Sequence, residues 1–129
     1  MNARVELRHG LAAPNTFEVP GPPRPKQRPR RGRSGRWYTP RATADYEAAV
    51  GWAARAAGIH QPCTSPVRLT LHLVFPDRRR RDIDNATKAV MDGLNGIVWY
   101  DDSQVVELVV TREVDRDQPR AEITVERLT

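Results

Sequence analysis

The segment from Val67 to Phe75 alternates between apolar and polar residues, and it constrains the fold more than any other part of the sequence. In an extended chain successive side chains point to opposite faces, so a period of two separates one face from the other. The apolar face consists of Val67, Leu69, Leu71, Leu73 and Phe75. We therefore expect a strand in a sheet that is covered on one side and exposed to solvent on the other.

Two helices are predicted, one on each side of this strand in the sequence. The first starts at Thr39-Pro40, with threonine as the cap and proline at the first helical position, and it ends at Gly58. The second is capped by Asp84 and ends at Asn95-Gly96. Apolar residues recur at helical spacing in both segments, so each helix has one face to bury.

Three further strands complete the predicted fold, over Thr16–Val19, Gln104–Thr111 and residues 121–125. The segment Gln104–Thr111 is apolar on both faces, which predicts a central strand. A length of 129 residues corresponds to one domain. We predict a small α+β domain over residues 16–129, with a mixed or antiparallel sheet and two helices packed on it, after a flexible lead-in of residues 1–15.

The charges of the chain are divided unequally between its two parts. Sixteen basic and five acidic residues precede Asp82, whereas five basic and eleven acidic residues lie from Asp82 onward. Ordinary solubility does not need this division. It is typical of a protein that binds a polyanion with one region and holds cations with another.

The positive charge is concentrated in two short segments. No acidic residue lies between Glu18 and Asp45, and prolines and glycines accompany the basic residues there, which predicts a loop. Arg78–Arg81 forms the second cluster. We predict that the two segments contact a polyanion through Arg24, Lys26, Arg28, Arg30, Arg31, Arg33, Arg36, Arg78, Arg79, Arg80 and Arg81.

The sequence also excludes several classes of protein. No apolar run approaches the roughly 18 residues that span a bilayer, which argues against a membrane protein. The N-terminal residues lack the apolar core of a signal peptide. Cys63 is the single cysteine and has no partner for an internal disulfide. We expect a soluble protein of a reducing compartment.

Two pairs of aspartates are candidate metal ligands. Asp82 and Asp84 lie two residues apart, where an extended backbone points both side chains the same way. Asp101 and Asp102 follow at a predicted bend. Carboxylates without a nearby histidine or cysteine suit Mg²⁺ or Mn²⁺. The residues alone leave both Asp101 and Asp102 open as the ligand, and each pair has an alternative interpretation as a helix cap or a turn.

Lys88 lies one helical turn after Asp84 and is one of two lysines in an arginine-rich chain. One interpretation is an ordinary surface ion pair. The other is a point charge on the scissile phosphate, where a compact ammonium fits more easily than a guanidinium. The neighbouring carboxylates favour the second.

The same residues resemble the RusA-type Holliday junction resolvases. The motif consists of Arg81-Asp82-Ile83-Asp84-Asn85, Lys88, Met91-Asp92-Gly93-Leu94 and Trp99-Tyr100-Asp101-Asp102-Ser103-Gln104-Val105-Val106. The upstream segment Val19–Arg30 and Tyr38-Thr39-Pro40 are similar to the phage-encoded branch. The resemblance extends from about Phe17 to Glu126.

This resemblance implies a homodimeric, Mg²⁺-dependent endonuclease that resolves four-way DNA junctions by paired symmetric nicks. It assigns the metal to Asp82, Asp84 and Asp102, and it adds Lys88 as a catalytic residue. It also implies that the polyanion bound by the two basic segments is DNA. Asp92 is interpreted as a supporting or structural residue. Two alternatives stay open, namely a non-catalytic nucleic-acid-binding module and a nuclease of broader branched-DNA specificity.

Overall fold

The computed structural model describes residues 14–129, which form a four-stranded sheet, a short hairpin and two helices. The elements are β1 (Asn15–Pro20), β2 (Arg30–Arg31), β3 (Trp37–Tyr38), α1 (Arg41–Ala56), β4 (Val67–Phe75), α2 (Ile83–Leu94), a 3₁₀ turn (Asp102–Gln104), β5 (Val105–Val114) and β6 (Arg120–Arg127). The predicted α+β class and element order are confirmed, with the hairpin β2–β3 added within the basic loop. Of the predicted lead-in, residues 1–13 lie outside the described residues, and Asn15 already belongs to β1.

The sheet is mixed, with the strand order β1-β6-β4-β5. The strand β4 pairs antiparallel with β6 and parallel with β5. A parallel pair needs a crossover connection, and α2 lies in the segment that connects β4 to β5. The start of α2 therefore follows the carboxyl end of β4, and the 3₁₀ turn precedes the amino end of β5.

One face of the sheet is the core and the other is polar. The alternating apolar residues of β4 are fully buried together with Ile123 of β6 and Val50 of α1. On the opposite face Arg68 pairs with Glu107 and Glu126 across three strands. The expectation of a half-buried strand at Val67–Phe75 is confirmed.

The prediction that Gln104–Thr111 forms a central strand is wrong. Among residues 14–129, the strand β5 lies at the edge of the sheet and pairs only with β4. Four of its apolar side chains are exposed: Val106, Leu108, Val109 and Val114. An apolar pattern on both faces fits a central strand, but here it leaves a ten-residue edge with unpaired backbone groups and an uncovered apolar surface.

The helix starts also differ from the predictions. Pro40, rather than Thr39, occupies the N-cap position of α1. Asp82 occupies the N-cap position of α2 without a side-chain capping bond, so Asp84 lies inside the first turn. Because Ile83 is already helical, Asp82 and Asp84 do not share the extended backbone that would point them the same way.

The two helices approach closely at Gly93. A Cβ atom there would lie 2.8 Å from both the carbonyl oxygen of Glu47 and the Cβ of Val50. Only glycine leaves room for this contact, because any side chain would collide with the backbone of α1. The close approach brings the Glu47 region of α1 beside the Asp92 region of α2.

Candidate active site

The peptide that leads into Asp82 is fixed by two arginines around Phe75. The Arg81 guanidinium donates to Asp77 Oδ1 at 2.8 Å and lies 4.9 Å from the Phe75 ring centroid. Arg112 of β5 lies 5.1 Å from the same centroid and donates to the Arg81 carbonyl oxygen at 3.0 Å. The hydrogen bond from Arg81 is the main cause that lowers the pKa of Asp77. Through Arg112, the carboxyl-terminal half of β5 is therefore bonded to the residue that directly precedes Asp82.

Asp82 and Asp84 are both exposed at the start of α2, but they face different pockets. Asp82 lines a pocket of about 270 Å³ that also contains Arg80, Arg81 and Asn85. Asp84 accepts a hydrogen bond from the Asn85 backbone N–H at 2.9 Å and faces the groove between α2 and β5. The first turn of the helix also places Asp84 near the partial positive charge of the N-terminus of α2.

This groove, of about 400 Å³, contains three of the four predicted catalytic residues. Asp84, Lys88 and Asp102 supply its charged groups, and the remaining lining residues are Ile83, Thr87, Met91, Leu108 and Val110. From Ile83 to Met91 the helix rises about 12 Å, so the groove is elongated. Asp84 belongs to the start of α2 and Asp102 to the turn before β5.

The turn before β5 distinguishes Asp102 from Asp101. Asp101 caps the turn by accepting a hydrogen bond from the Ser103 backbone N–H at 2.9 Å. Hydrogen bonds from Ser103 lower the pKa of Asp101, and the bond from its side chain contributes more than the bond from its backbone. Asp102 instead faces the groove and accepts from the indole N–H of Trp99 at 3.2 Å. The geometry therefore places Asp102, and not Asp101, among the residues that line the groove with Lys88 and Asp84.

Gln104 holds this turn against the body of the domain. Its side-chain oxygen accepts from the backbone N–H groups of Tyr100 and Asp101 at 2.8 and 3.1 Å. Its amide nitrogen donates to the carbonyl oxygens of Cys63 and Ser65 at 2.7 and 3.0 Å. The position of Asp102 is thus determined by buried backbone on the far side of the turn.

The donor set has the right chemistry for a hard divalent cation. Asp82, Asp84 and Asp102 offer carboxylate oxygens, and neither histidine nor cysteine lines the groove. Within residues 14–129, however, no three acidic, histidine or cysteine side chains lie close enough to form a metal centre. The described part of one chain therefore supplies suitable ligands without bringing three of them together.

The predicted DNA-contacting residues are exposed, with two exceptions. Nine of the eleven are exposed, whereas Lys26 and Arg81 are partly buried and already paired with carboxylates. Lys26 lies between Glu47 and Asp92. A cation held by carboxylates within the fold has less charge left to offer a phosphate, so these two residues differ from the rest of the set.

Several residues around the site were not predicted. Trp99 belongs to the family motif, but its hydrogen bond to Asp102 was not predicted. Arg112, which donates to the Arg81 carbonyl oxygen, belongs to no local motif. The pairing of Lys88 with Asp92 had a signal, since the two are four residues apart on one helix. Trp37 is 68% exposed on the basic hairpin, where it is accessible to a nucleotide base.

The sequence comparisons identify the family to which this fold and groove belong. The family model described as Endodeoxyribonuclease RusA matches residues 20–126. The chain belongs to the RusA family. The crossover junction endodeoxyribonuclease RusA of Escherichia coli strain K12 is 32% identical over 114 residues, which cover 86% of this chain and 94% of the relative. The protein of the same name from Enterobacteria phage 82 is 41% identical over 61 residues, 46% of this chain and 51% of the relative.

A third RusA relative, from Escherichia coli O139:H28, is 30% identical over 117 residues, which cover 88% of this chain and 97% of that protein. The predicted family and its enzyme class, a crossover junction endodeoxyribonuclease, are confirmed at the level of the RusA family. RusA membership implies a requirement for a divalent metal ion. Among residues 14–129, no helix is long and apolar enough to cross a membrane.

Proposed function

We propose that this chain is a Mg²⁺-dependent, structure-specific endodeoxyribonuclease that resolves Holliday junctions by paired symmetric nicks. The observation that carries the proposal is the groove that Asp84, Lys88 and Asp102 line together. The exposed arginines Arg78, Arg79 and Arg80 precede Asp82 in the chain. The relatives are named for action on crossover junctions, and we extend that activity to this chain. Such a substrate places its action in the cytoplasm of a bacterial or phage-infected cell.

In this mechanism the chain's acidic residues hold the cation and its lysine meets the phosphate. Asp82, Asp84 and Asp102 would hold Mg²⁺, with Mn²⁺ as a substitute. When bound, such an ion lowers the pKa of water and neutralises charge on the phosphate. Lys88 is 60% exposed, so its ammonium is free to approach the scissile phosphate and stabilise the charge of the transition state.

Binding to the junction would rest on the two basic segments. Exposed arginines that contact phosphates give affinity without reading sequence. The residues proposed for this role are Arg24, Arg28, Arg30, Arg31, Arg33, Arg36, Arg78, Arg79 and Arg80. Lys26 and Arg81 are left out of this surface, because both are partly buried and paired with carboxylates. The hairpin β2–β3 carries Arg30 and Arg31 away from the core, where a DNA backbone can reach them.

A homodimer would supply the two active sites that paired nicks require. A four-way junction has two-fold symmetry, and a C₂ dimer presents two sites with the same symmetry. The exposed edge of β5, with Val106, Leu108 and Val109, is the surface that we assign to a second copy of the chain. Pairing two such edges would satisfy their backbone groups and cover their apolar side chains.

Antiparallel pairing of the two β5 strands would also bring the scattered carboxylates together. Asp82 lies at the carboxyl end of β5, where Arg112 binds Arg81, whereas Asp102 lies at the amino end of that strand. A two-fold axis across β5 exchanges these ends. Each Asp82 would then lie near Asp102 of the other subunit, and the metal ligands would come from both chains.

Mixed dimers test this arrangement. Consider a heterodimer of an Asp82→Asn subunit and an Asp102→Asn subunit. If each site takes Asp82 from one subunit and Asp102 from the other, one site keeps both carboxylates and the other site has lost both. We expect this heterodimer to nick one strand of the junction. Sites built within single chains would leave both sites damaged, so a heterodimer with no more cleavage than either mutant homodimer would contradict sharing.

Substrate comparison tests the proposed function itself. The wild-type protein in Mg²⁺ should cleave a mobile four-way junction much faster than three-way or linear DNA of the same sequence. Equal cleavage of three-way and four-way DNA would instead indicate a nuclease of broader branched-DNA specificity. Junction binding without cleavage in Mg²⁺ or Mn²⁺ would indicate a non-catalytic binding module.

A further inference from the structure

The two lysines of this chain meet at the same carboxylate, although the other nineteen basic residues are arginines. Lys26 Nζ lies 3.0 Å from Asp92 Oδ2, and Lys88 Nζ lies 3.7 Å from Asp92 Oδ1. The first distance is that of a hydrogen bond and the second is longer than one. Asp92 is therefore engaged closely by Lys26 and only loosely by Lys88.

The environment of Lys26 keeps its charge in place. Its ammonium also binds Glu47 of α1 at 2.6 Å, so it bridges α1 and α2. Burial opposes the charged form more than any other single influence, but the hydrogen bonds to Glu47 and Asp92 together raise the pKa of Lys26. Lys26 and Asp92 are each about one-fifth exposed, whereas Lys88 is 60% exposed.

The backbone around Lys26 is attached to both helices as well. The Lys26 N–H donates to the Asn85 carbonyl oxygen at 3.1 Å, one residue beyond Asp84. The neighbouring Gln27 N–H donates to Thr43 Oγ1 of α1 at 3.1 Å. The ammonium of Lys26 is thus fixed relative to the catalytic helix, and it is not part of a freely moving loop.

We propose that Lys26 is a positioning residue that neutralises Asp92 and so keeps Lys88 available for the scissile phosphate. This inference rests on the proposed role of Lys88. Without Lys26, the full charge of Asp92 would attract Lys88, four residues before it on the same helix. The ammonium of Lys88 would then be drawn into an ion pair and away from the DNA. Lys26 acts on the rate through Asp92 and does not touch the substrate.

Single-turnover cleavage of a saturating four-way junction tests the proposal. Lys26→Gln removes the charge but retains a hydrogen-bond donor, and we expect it to slow cleavage about tenfold, a modest loss of transition-state stabilisation. Its affinity for the junction should change little. Lys26→Gln/Asp92→Asn should recover to within about threefold of wild type, because Lys88 is no longer captured, and this coupling is measured by the double-mutant cycle.

A merely structural role for Lys26 gives the opposite pattern. The double variant would then lose a further contact and cleave no faster than Lys26→Gln. Arg41→Gln serves as the matched control, because it removes an exposed cation near the same loop without touching Asp92. Thermal unfolding identifies variants that fail to fold. If both Lys26→Gln and Lys26→Met fail to fold, the Asp92→Asn variant decides, because the proposal expects it to cleave within about threefold of the wild-type rate.

The outcomes also separate this proposal from the proposed function. An inactive wild-type protein, or a Lys88→Met variant as fast as wild type, would contradict the proposed function or the role of Lys88. An inactive Lys88→Met variant together with a folded Lys26→Gln variant at wild-type rate would overturn the role of Lys26 alone. A Lys26→Gln/Asp92→Asn variant that cleaves more slowly than Lys26→Gln would also overturn the role of Lys26.

Discussion

The indole N–H of Trp99 donates to the carboxylate of Asp102 at 3.2 Å and to the side-chain oxygen of Asn95 at 2.6 Å. Trp99 is fully buried, so it connects the core to a groove residue that is otherwise held only by the short turn before β5. Groups that orient a metal ligand from behind affect metal affinity and rate although they never touch the metal.

Trp99→Phe should slow junction cleavage about tenfold at limiting Mg²⁺, because Asp102 loses the donor that orients it. Higher Mg²⁺ concentrations should restore part of the rate. The loss of buried volume should also lower the free energy of unfolding by about 1–3 kcal/mol. Trp52→Phe, on the exposed side of α1, is the control and should change neither quantity. A Trp99→Phe rate equal to wild type at all Mg²⁺ concentrations would contradict the orienting role.

Asp102→Asn and Asp101→Asn should differ in their effect on cleavage. Asp102 faces the groove, so its loss should reduce the rate by at least about 100-fold, whereas Asp101 caps the turn and its loss should cost about tenfold or less. Junction affinity should stay unchanged or rise in both variants, because removing a negative charge cannot weaken attraction to phosphate. The reverse order of rates would assign the groove role to Asp101.

Neutralising Arg28, Arg30 and Arg31 together should weaken binding to all forms of DNA. Each lost phosphate contact reduces the steepness of the log–log salt dependence by about 0.9, so titration at several salt concentrations counts the contacts. Arg55→Gln, an exposed arginine on α1 outside the proposed surface, should leave that slope unchanged. A slope unchanged by the triple substitution would mean that the hairpin points away from the DNA.

The hydroxyl of Tyr46 should make the protein sensitive to alkali. It is buried and has no hydrogen-bond partner among residues 14–129. Burial raises the pKa of Tyr46 to about 12, although the charge of Arg24 partly opposes this. Tyrosine in an unfolded chain titrates near pH 10. The contribution of Tyr46 to the free energy of unfolding is therefore fully present below pH 10 and is lost as the pH rises towards 12. The loss amounts to about 3 kcal/mol at most.

Tyr46→Phe should remove this pH dependence and should be neutral or slightly stabilising at pH 7, because it eliminates an unsatisfied buried hydroxyl. Urea unfolding at pH 7 and at pH 11.5 measures both effects. Tyr100→Phe, at an exposed tyrosine, is the matched control. If the wild-type protein and Tyr46→Phe lost stability equally between these pH values, another group would be responsible.

Local sequence patterns predicted the elements of this fold but not every position within the sheet. The alternation at Val67–Phe75 and the stop signals at Gly58 and Gly96 are local, and the structure contains the strand and both helix ends. The edge position of β5 is a tertiary property. An apolar pattern on both faces indicates that a strand is buried. It does not tell whether the same chain or a second copy of the chain covers the strand.

In the candidate site, too, some features follow from local sequence and others depend on tertiary packing. The spacing of Asp82, Asp84 and Lys88 within one helix start was readable from the chain. The bond between Trp99 and Asp102 and the contact of Lys26 with Asp92 depend on how the loop and helices pack. Lys26 was predicted to contact DNA because its neighbours in sequence are basic, whereas its ammonium lies between two carboxylates.

Mapping the incisions on a mobile four-way junction tests the central claim most directly. With each strand labelled in turn, the wild-type protein in Mg²⁺ should cut two opposing strands at symmetric positions and release nicked duplexes. Asp82→Asn should bind the same junction without cutting it. Unpaired cuts scattered over the four strands, equal cutting of linear DNA, or cleavage by Asp82→Asn at the wild-type rate would contradict a metal-dependent resolvase with its active site at Asp82, Asp84, Lys88 and Asp102.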